Sequence, residues 1–180
     1  KNEIRGVSIV LMALLFSLMP FAKTMADDVE TVHLKTVADW NEFARRVNEG
    51  HKPTLNAVMD NDIDLKDCQT MIGPDNAYQG TFDGNGHTLT VHYNVEGSAD
   101  CAPFAYVDGA TIRNLIVKGE IVGKLDNGYG GVGIGGIVAL SEAESEKINY
   151  ISNCAVYAKL QSNNKSDESY IGGFVGYEQS

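Results

Sequence analysis

The chain has 180 residues, enough for one domain of ordinary size, with 14 Lys and Arg against 24 Asp and Glu. Its formal net charge of −10, with no basic run, excludes a nucleic-acid partner, because phosphate binding needs clustered cations. Nineteen glycines against four prolines suit many tight corners, and no collagen-type period is present.

The first segment reads as a targeting signal. Lys1 and Arg5 give a basic start, Gly6 to Met19 is apolar apart from Ser8 and Ser17, and Pro20 breaks the run. Thr24-Met25-Ala26 places small residues at the positions a signal peptidase reads. The apolar stretch, about 14 residues, falls short of the ~20 that span a bilayer. Residues 1–26 are therefore expected to be a signal peptide, cleaved after Ala26; the alternative is an uncleaved anchor. No cysteine follows the apolar run, which argues against a lipid anchor. The expected mature chain is exported and acidic and has no membrane span.

Residues 27–54 read as an N-terminal capping segment. A short strand, Thr31 to Leu34, precedes a helix expected over about 37–49. Thr36 with Asp39 three residues on forms a capping box, and Trp40, Phe43, Ala44 and Val47 share one face. Gly50 is placed for a helix end with positive φ, and Pro53 prevents resumption. One amphipathic helix before a run of strands can cover an open sheet edge.

From Leu55 the period switches to two. Leu55, Ala57 and Met59 share one face, and Ile63 and Leu65 alternate with Asp62 and Asp64. Thr88 to Tyr93 reads as a further strand with Leu89 and Val91 inward. The strands end at Gly73-Pro74-Asp75-Asn76, Asp83-Gly84-Asn85-Gly86 and Asp126-Asn127-Gly128.

Two phrases then recur in alternation. Ile112, Asn114, Leu115 and Val117 return as Ile151, Asn153, Cys154 and Val156 at one offset of about 39 residues. The stretch around Phe104 returns around Val138 and again around Val175. Interleaved phrases in constant order predict stacked repeats: an all-β parallel β-helix over residues 55–180, two or three strands per coil. Asn114 and Asn153 are expected at one corner, in left-handed backbone, hydrogen-bonded along the stack. Cys154, standing where Leu115 stands, is expected to be a small buried hydrophobe.

Phe82-Asp83-Gly84-Asn85-Gly86-His87-Thr88-Leu89, Phe104-Ala105-Tyr106-Val107 with Ala110-Thr111-Ile112-Arg113-Asn114-Leu115, and Gly172-Gly173-Phe174-Val175-Gly176 together resemble the bacterial GLUG-motif repeat proteins. Asp39-Trp40 through Gly50, and Asp62-Ile63-Asp64-Leu65, look like the lead-in that precedes such repeats. The resemblance covers roughly residues 36 to 180. It implies an exported right-handed β-helix at the bacterial cell surface or in the extracellular space, with the periplasm also open, and with adhesive or display roles more usual than catalysis. Ala105 and Ala139 depart from the glycine typical before the aromatic, and only Gly176 keeps it.

Few groups converge as chemistry requires. Gly131-Val132-Gly133-Ile134-Gly135-Gly136 satisfies the dinucleotide fingerprint in form, but a strand phrase follows where a helix must open. Asp60-Asn61-Asp62-Ile63-Asp64 begins like a calcium loop, yet Leu65 replaces the required glycine and Met71 the bidentate Glu. The four histidines never approach metal-ligand spacing, so neither a metal nor a cofactor is expected. Cys68 and Cys101 sit in turn-like stretches, and whether they pair is left open. The Glu142, Glu144, Glu146 cluster and the Gln161–Ser169 stretch read as solvated excursions.

The leading expectation is a non-catalytic structural or adhesive module whose ligand is a surface glycan or protein. The alternative is a polysaccharide-active hydrolase or lyase built on Asp83, with His87 beside it and an acid from an adjacent coil. The final glycine-rich phrase has no cap after it, so the chain is expected to be part of a longer solenoid and to self-associate through an open last coil.

Overall fold

The computed structural model describes residues 30–97, 100–124, 132–143, 146–164 and 168–179. The expected signal peptide, the Asp126-Asn127-Gly128 turn, Gly131 and Glu144 lie outside the described residues. In chain order the elements are β1 (Thr31–Leu34), α1 (Val37–Asn48), β2 (Asn56–Met59), β3 (Ile63–Asp64), β4 (Thr81–Asp83) and β5 (Thr88–Glu96). There follow β6 (Asp100–Cys101), β7 (Phe104–Asp108), β8 (Thr111–Arg113), β9 (Ile116–Lys124) and β10 (Val132–Gly135). The last are β11 (Val138–Glu142), β12 (Tyr150–Ser152), β13 (Ala155–Ser162), β14 (Ser169–Gly172) and β15 (Val175–Gln179).

The class is all-β, and every strand pairing is parallel. The strand orders of the four sheets are β1-β2-β4-β8-β12, β3-β5-β9-β13, β6-β10-β14 and β7-β11-β15. From β8 onward the chain passes through the sheets in turn, and β12 to β15 are each the last strand of their sheet. Register rows cross the sheets: Ala57, Phe82, Ile112 and Ile151 form one, and Ile63, Leu89, Val117 and Val156 another. Phe104, Val138 and Val175 form a third.

The spacing between register partners varies along the chain. It is 28 residues from Glu96 to Lys124, 30 from Asp83 to Arg113 and 39 from Glu120 to Lys159. Strand lengths hold from β5 to β9, across β4, β8 and β12, and across β7, β11 and β15, while corners absorb the difference, because only the strands are bound to a period by packing and pairing.

The helix forms as its sequence dictates. Thr36 Oγ1 accepts from the Asp39 backbone N–H, and Asp39 Oδ2 accepts from the Thr36 backbone N–H at 2.9 Å. Its end differs from expectation. The left-handed residue is His51, with φ of 51°, rather than Gly50. Glycine at position 50 answers to space, since a Cβ there would lie 2.6 Å from the Arg46 carbonyl oxygen.

The buried face of α1 meets an aromatic cluster under the first strands. Trp40 approaches Phe82 and Phe104 edge-on at 6.1 and 6.2 Å, and Phe82 meets Phe104 at 5.1 Å. The Trp40 indole donates to the Thr70 carbonyl at 3.0 Å, so the ring is buried without an orphaned N–H. Along the inner rows, Phe82, Leu89, Val117 and Leu115 are wholly buried.

At the last strands this burial lapses. Ile151, Cys154, Val156 and Val175 are only partly buried, and Ile171 and Phe174 are exposed. Cys154 is therefore half-buried, not fully enclosed as Leu115 is, because among the described residues no strand lies over it.

Candidate functional site

The corner after β4, β8 and β12 gathers the residues that the repeat and the alternative catalytic reading single out. Asn85, Asn114 and Asn153 adopt left-handed φ of 52°, 54° and 52°, which asparagine tolerates better than other side-chain-bearing residues. Gly84 lies against the next strand, where a Cβ would stand 2.6 Å from the Asn114 carbonyl oxygen and the Leu115 Cα. Asn153 Nδ2 donates to Asn114 Oδ1 at 2.7 Å, and Asn114 Nδ2 donates to Asp83 Oδ1 at 2.9 Å.

Asp83 is also engaged by the Asn85 backbone N–H at 2.8 Å and by Arg113 Nε at 2.9 Å. Partial burial pushes its carboxyl upward, but the hydrogen bonds from Asn114, Asn85 and Arg113 outweigh this and hold it below the usual aspartate value. His87 turns to a different partner: its Nδ1 lies 3.1 Å from Asp62 Oδ1, which also accepts the Thr88 N–H at 2.8 Å. The Thr88 N–H, followed by His87, holds the Asp62 carboxyl low. Such carboxylates serve as acceptors, whereas a general acid in glycoside hydrolysis must be kept protonated.

The calcium-like acidic run is divided among three histidines. His33 meets Asp60 at 2.9 Å, His87 meets Asp62, and His92 Nε2 meets Asp64 at 3.1 Å. Among the described residues no three His, Cys, Asp or Glu side chains group as metal ligands would.

The glycine fingerprint resolves into packing. β11 follows β10 with no helix between. A Cβ on Gly135 would fall 1.7 Å from the Val138 carbonyl oxygen, and one on Gly136 2.1 Å from that of Gly173. Cys68 and Cys101 are free thiols: Cys68 Sγ bonds to Asn41 Oδ1 at 3.0 Å, and Cys101 is wholly buried. Glu142 belongs to β11 and accepts the Tyr106 hydroxyl, so it is no solvated excursion. Gln161 and Ser162 likewise fall within β13.

A cleft of about 290 Å³ opens between the β6-β10-β14 and β7-β11-β15 sheets, lined by Asp100, Gly133, Leu140, Glu168, Tyr170 and Tyr177 among others. Sequence reasoning missed it. Asp100, Gly133 and Tyr170 become neighbours only through strand register, and the one signal available was the alignment of Tyr106, Leu140 and Tyr177 within the recurring phrase.

No family model, curated protein or solved structure matches this chain.

Proposed function

We propose that the chain is an exported segment of right-handed parallel β-helix that serves as a structural or adhesive surface module without catalysis of its own. The carrying observation is the in-register parallel pairing of Ile112 with Ile151 and Val117 with Val156. The third row, Phe104 with Val138 and Val175, recurs on a separate sheet of the same stack. Rows of this kind are what successive coils of a β-helix require. The likeness of the Phe82–Leu89 and Gly172–Gly176 phrases to GLUG-motif repeats supports the same reading.

Export rests on the basic start, the apolar run and the Thr24-Met25-Ala26 site. Among the described residues no helix is long and apolar enough to cross a membrane. The engagement of Asp83 by Asn114, Asn85 and Arg113 supports a structural role for that carboxylate. Exposed Tyr157 on β13, Ile171 on β14 and Phe174 in the bend between β14 and β15 support self-association through that face, or its coverage by a surface ligand, glycan or protein.

Mass spectrometry of material exported from a bacterial host tests the export claim. A mature chain beginning at Asp27 supports it, and a secreted or membrane-bound chain that retains Lys1 contradicts it.

A further inference from the structure

The outward face of β5, β9 and β13 carries a groove of about 320 Å³, bordered by His92, Asn94, Glu120, Val122, Gln161 and Asn163 among others. Strand register assembles it. His92, Glu120 and Lys159 share one row, and Asn94, Val122 and Gln161 share the next.

The polar side chains of this groove are held at one end and open at the other. Glu120 Oε1 accepts from Lys159 Nζ at 2.6 Å, and Gln161 Nε2 donates to Asn163 Oδ1 at 2.6 Å. His92 Nε2 meets Asp64 Oδ1 at 3.1 Å. Asn94 is anchored through its backbone, whose N–H donates to Gln69 Oε1 at 2.8 Å. That leaves Glu120 Oε2, Gln161 Oε1, the Asn163 amide hydrogens and the whole exposed Asn94 carboxamide without a further partner among the described residues. Glu120, the only carboxylate among the described lining residues, is already matched by Lys159. Tyr157, 71% exposed, points from the same face of β13, two rows from Gln161 and so about 13 Å along the strand.

We propose that this face binds a neutral oligosaccharide, laid along the strands from the Tyr157 ring to the amides of Asn94, Gln161 and Asn163. Every sugar hydroxyl both donates and accepts, which suits a groove that offers both kinds of group side by side. The C–H face of a sugar ring packs on an exposed aromatic ring. A volume near 320 Å³ suits a short stretch of a chain ligand. An acidic polysaccharide meets a formal net charge of −10. A basic peptide finds Glu120 neutralised by Lys159. A folded protein needs a desolvated apolar core at its interface, which one valine between two amides does not supply. The inference rests on the adhesive reading above and names its ligand class.

The test is an NMR titration of the isotope-labelled 180-residue chain with neutral tetrasaccharides of glucose, mannose, xylose and N-acetylglucosamine. A galacturonate tetrasaccharide and a basic peptide serve as charged counterparts. The side-chain amides of Asn94, Gln161 and Asn163 and the Tyr157 ring report on the face. At least one neutral sugar should shift all of them saturably, binding at least about tenfold more tightly than galacturonate. Asn94→Ala, an exposed change, should weaken that sugar by about fivefold, and Tyr157→Ala by a similar factor. If Asn94→Ala fails to fold, Gln161→Ala reads the same groove. Absence of amide shifts with every neutral sugar overturns the proposal. So does binding of galacturonate or of the basic peptide that equals or exceeds that of the neutral sugars. Counting reducing ends in the same samples separates the two readings. Sugar cleavage defeats the non-catalytic reading and leaves the binding face standing, whereas an exported, catalytically silent chain that binds no sugar defeats this inference alone.

Discussion

Asn153 donates its side-chain amide to the side-chain oxygen of Asn114, one strand below, and both residues stand in left-handed backbone. Asn114 passes the chain of hydrogen bonds on to Asp83. The asparagines thus do two things at one corner: they accept an unfavourable φ and they tie successive strands together.

Separate substitutions resolve those roles. Asn114→Gly keeps access to the left-handed conformation and loses the two side-chain bonds. Asn114→Ala loses both. Urea unfolding should show Asn114→Gly destabilised by about 1–3 kcal/mol, with Asn114→Ala costing about 1 kcal/mol more. Equal costs would mean that the backbone at position 114 is unstrained.

Phe82 sits where α1 meets the strands, in ring contact with Trp40, Phe43 and Phe104. Phe82→Ala should cost about 3–5 kcal/mol, a large share of a typical domain's stability. The denaturation midpoint should fall for helix and strand signals together. Independent melting of the helix would show that α1 is not integral to the core.

Stability should depend on pH in two opposite senses. The Asp83 carboxyl is held low, so its contribution is complete above the ordinary value of 3.8 and is lost as pH falls further. The Asp100 carboxyl is raised to about 6, so the native state binds a proton there that the unfolded chain has released. Stability attributable to Asp100 therefore declines as pH rises from about 4 to about 6. Urea midpoints against pH should show a shallower acid limb in Asp83→Asn, the other lowered carboxyls such as Asp62 keeping the rest, and a lost decline between about 4 and 6 in Asp100→Asn. Unchanged profiles in both variants would refute these electrostatic assignments.

The outermost strand β13 presents Tyr157 at 71% exposure. If copies associate through this edge, a charge placed there should oppose pairing. Tyr157→Lys should reduce concentration-dependent association in sedimentation velocity while changing unfolding free energy by no more than about 0.5 kcal/mol. A parent chain that stays monomeric at every concentration contradicts self-association.

Some of this architecture was legible in the residues and some was not, for physical reasons. The capping box at Thr36 and Asp39 and the Trp40, Phe43, Ala44, Val47 face are local signals, and α1 occupies nearly the expected span. The rows through Ile112 and Ile151 share side chains at constant spacing, so the recurring sequence pattern alone exposed them. The earlier partners of those rows did not stand out. Ala57 and Phe82 differ in size, and their corners differ in length, although they occupy the same row as Ile112. Burial at the last strands was overestimated because equivalence to Leu115 says nothing about whether another strand lies over Cys154. The cleft was hidden because its walls are set by register across two sheets, and register is not a property of any local stretch.

The most direct test of the stacked, in-register account is a methyl NOESY spectrum of isoleucine-labelled protein, with Ile112 and Ile151 assigned by substitution. Their positions are parallel-strand neighbours, a spacing of about 4.8 Å. The account predicts a strong cross-peak between the two sets of methyl groups, with Asn114 and Asn153 side-chain amides also in contact. Assigned methyl signals with no cross-peak between Ile112 and Ile151 would contradict it.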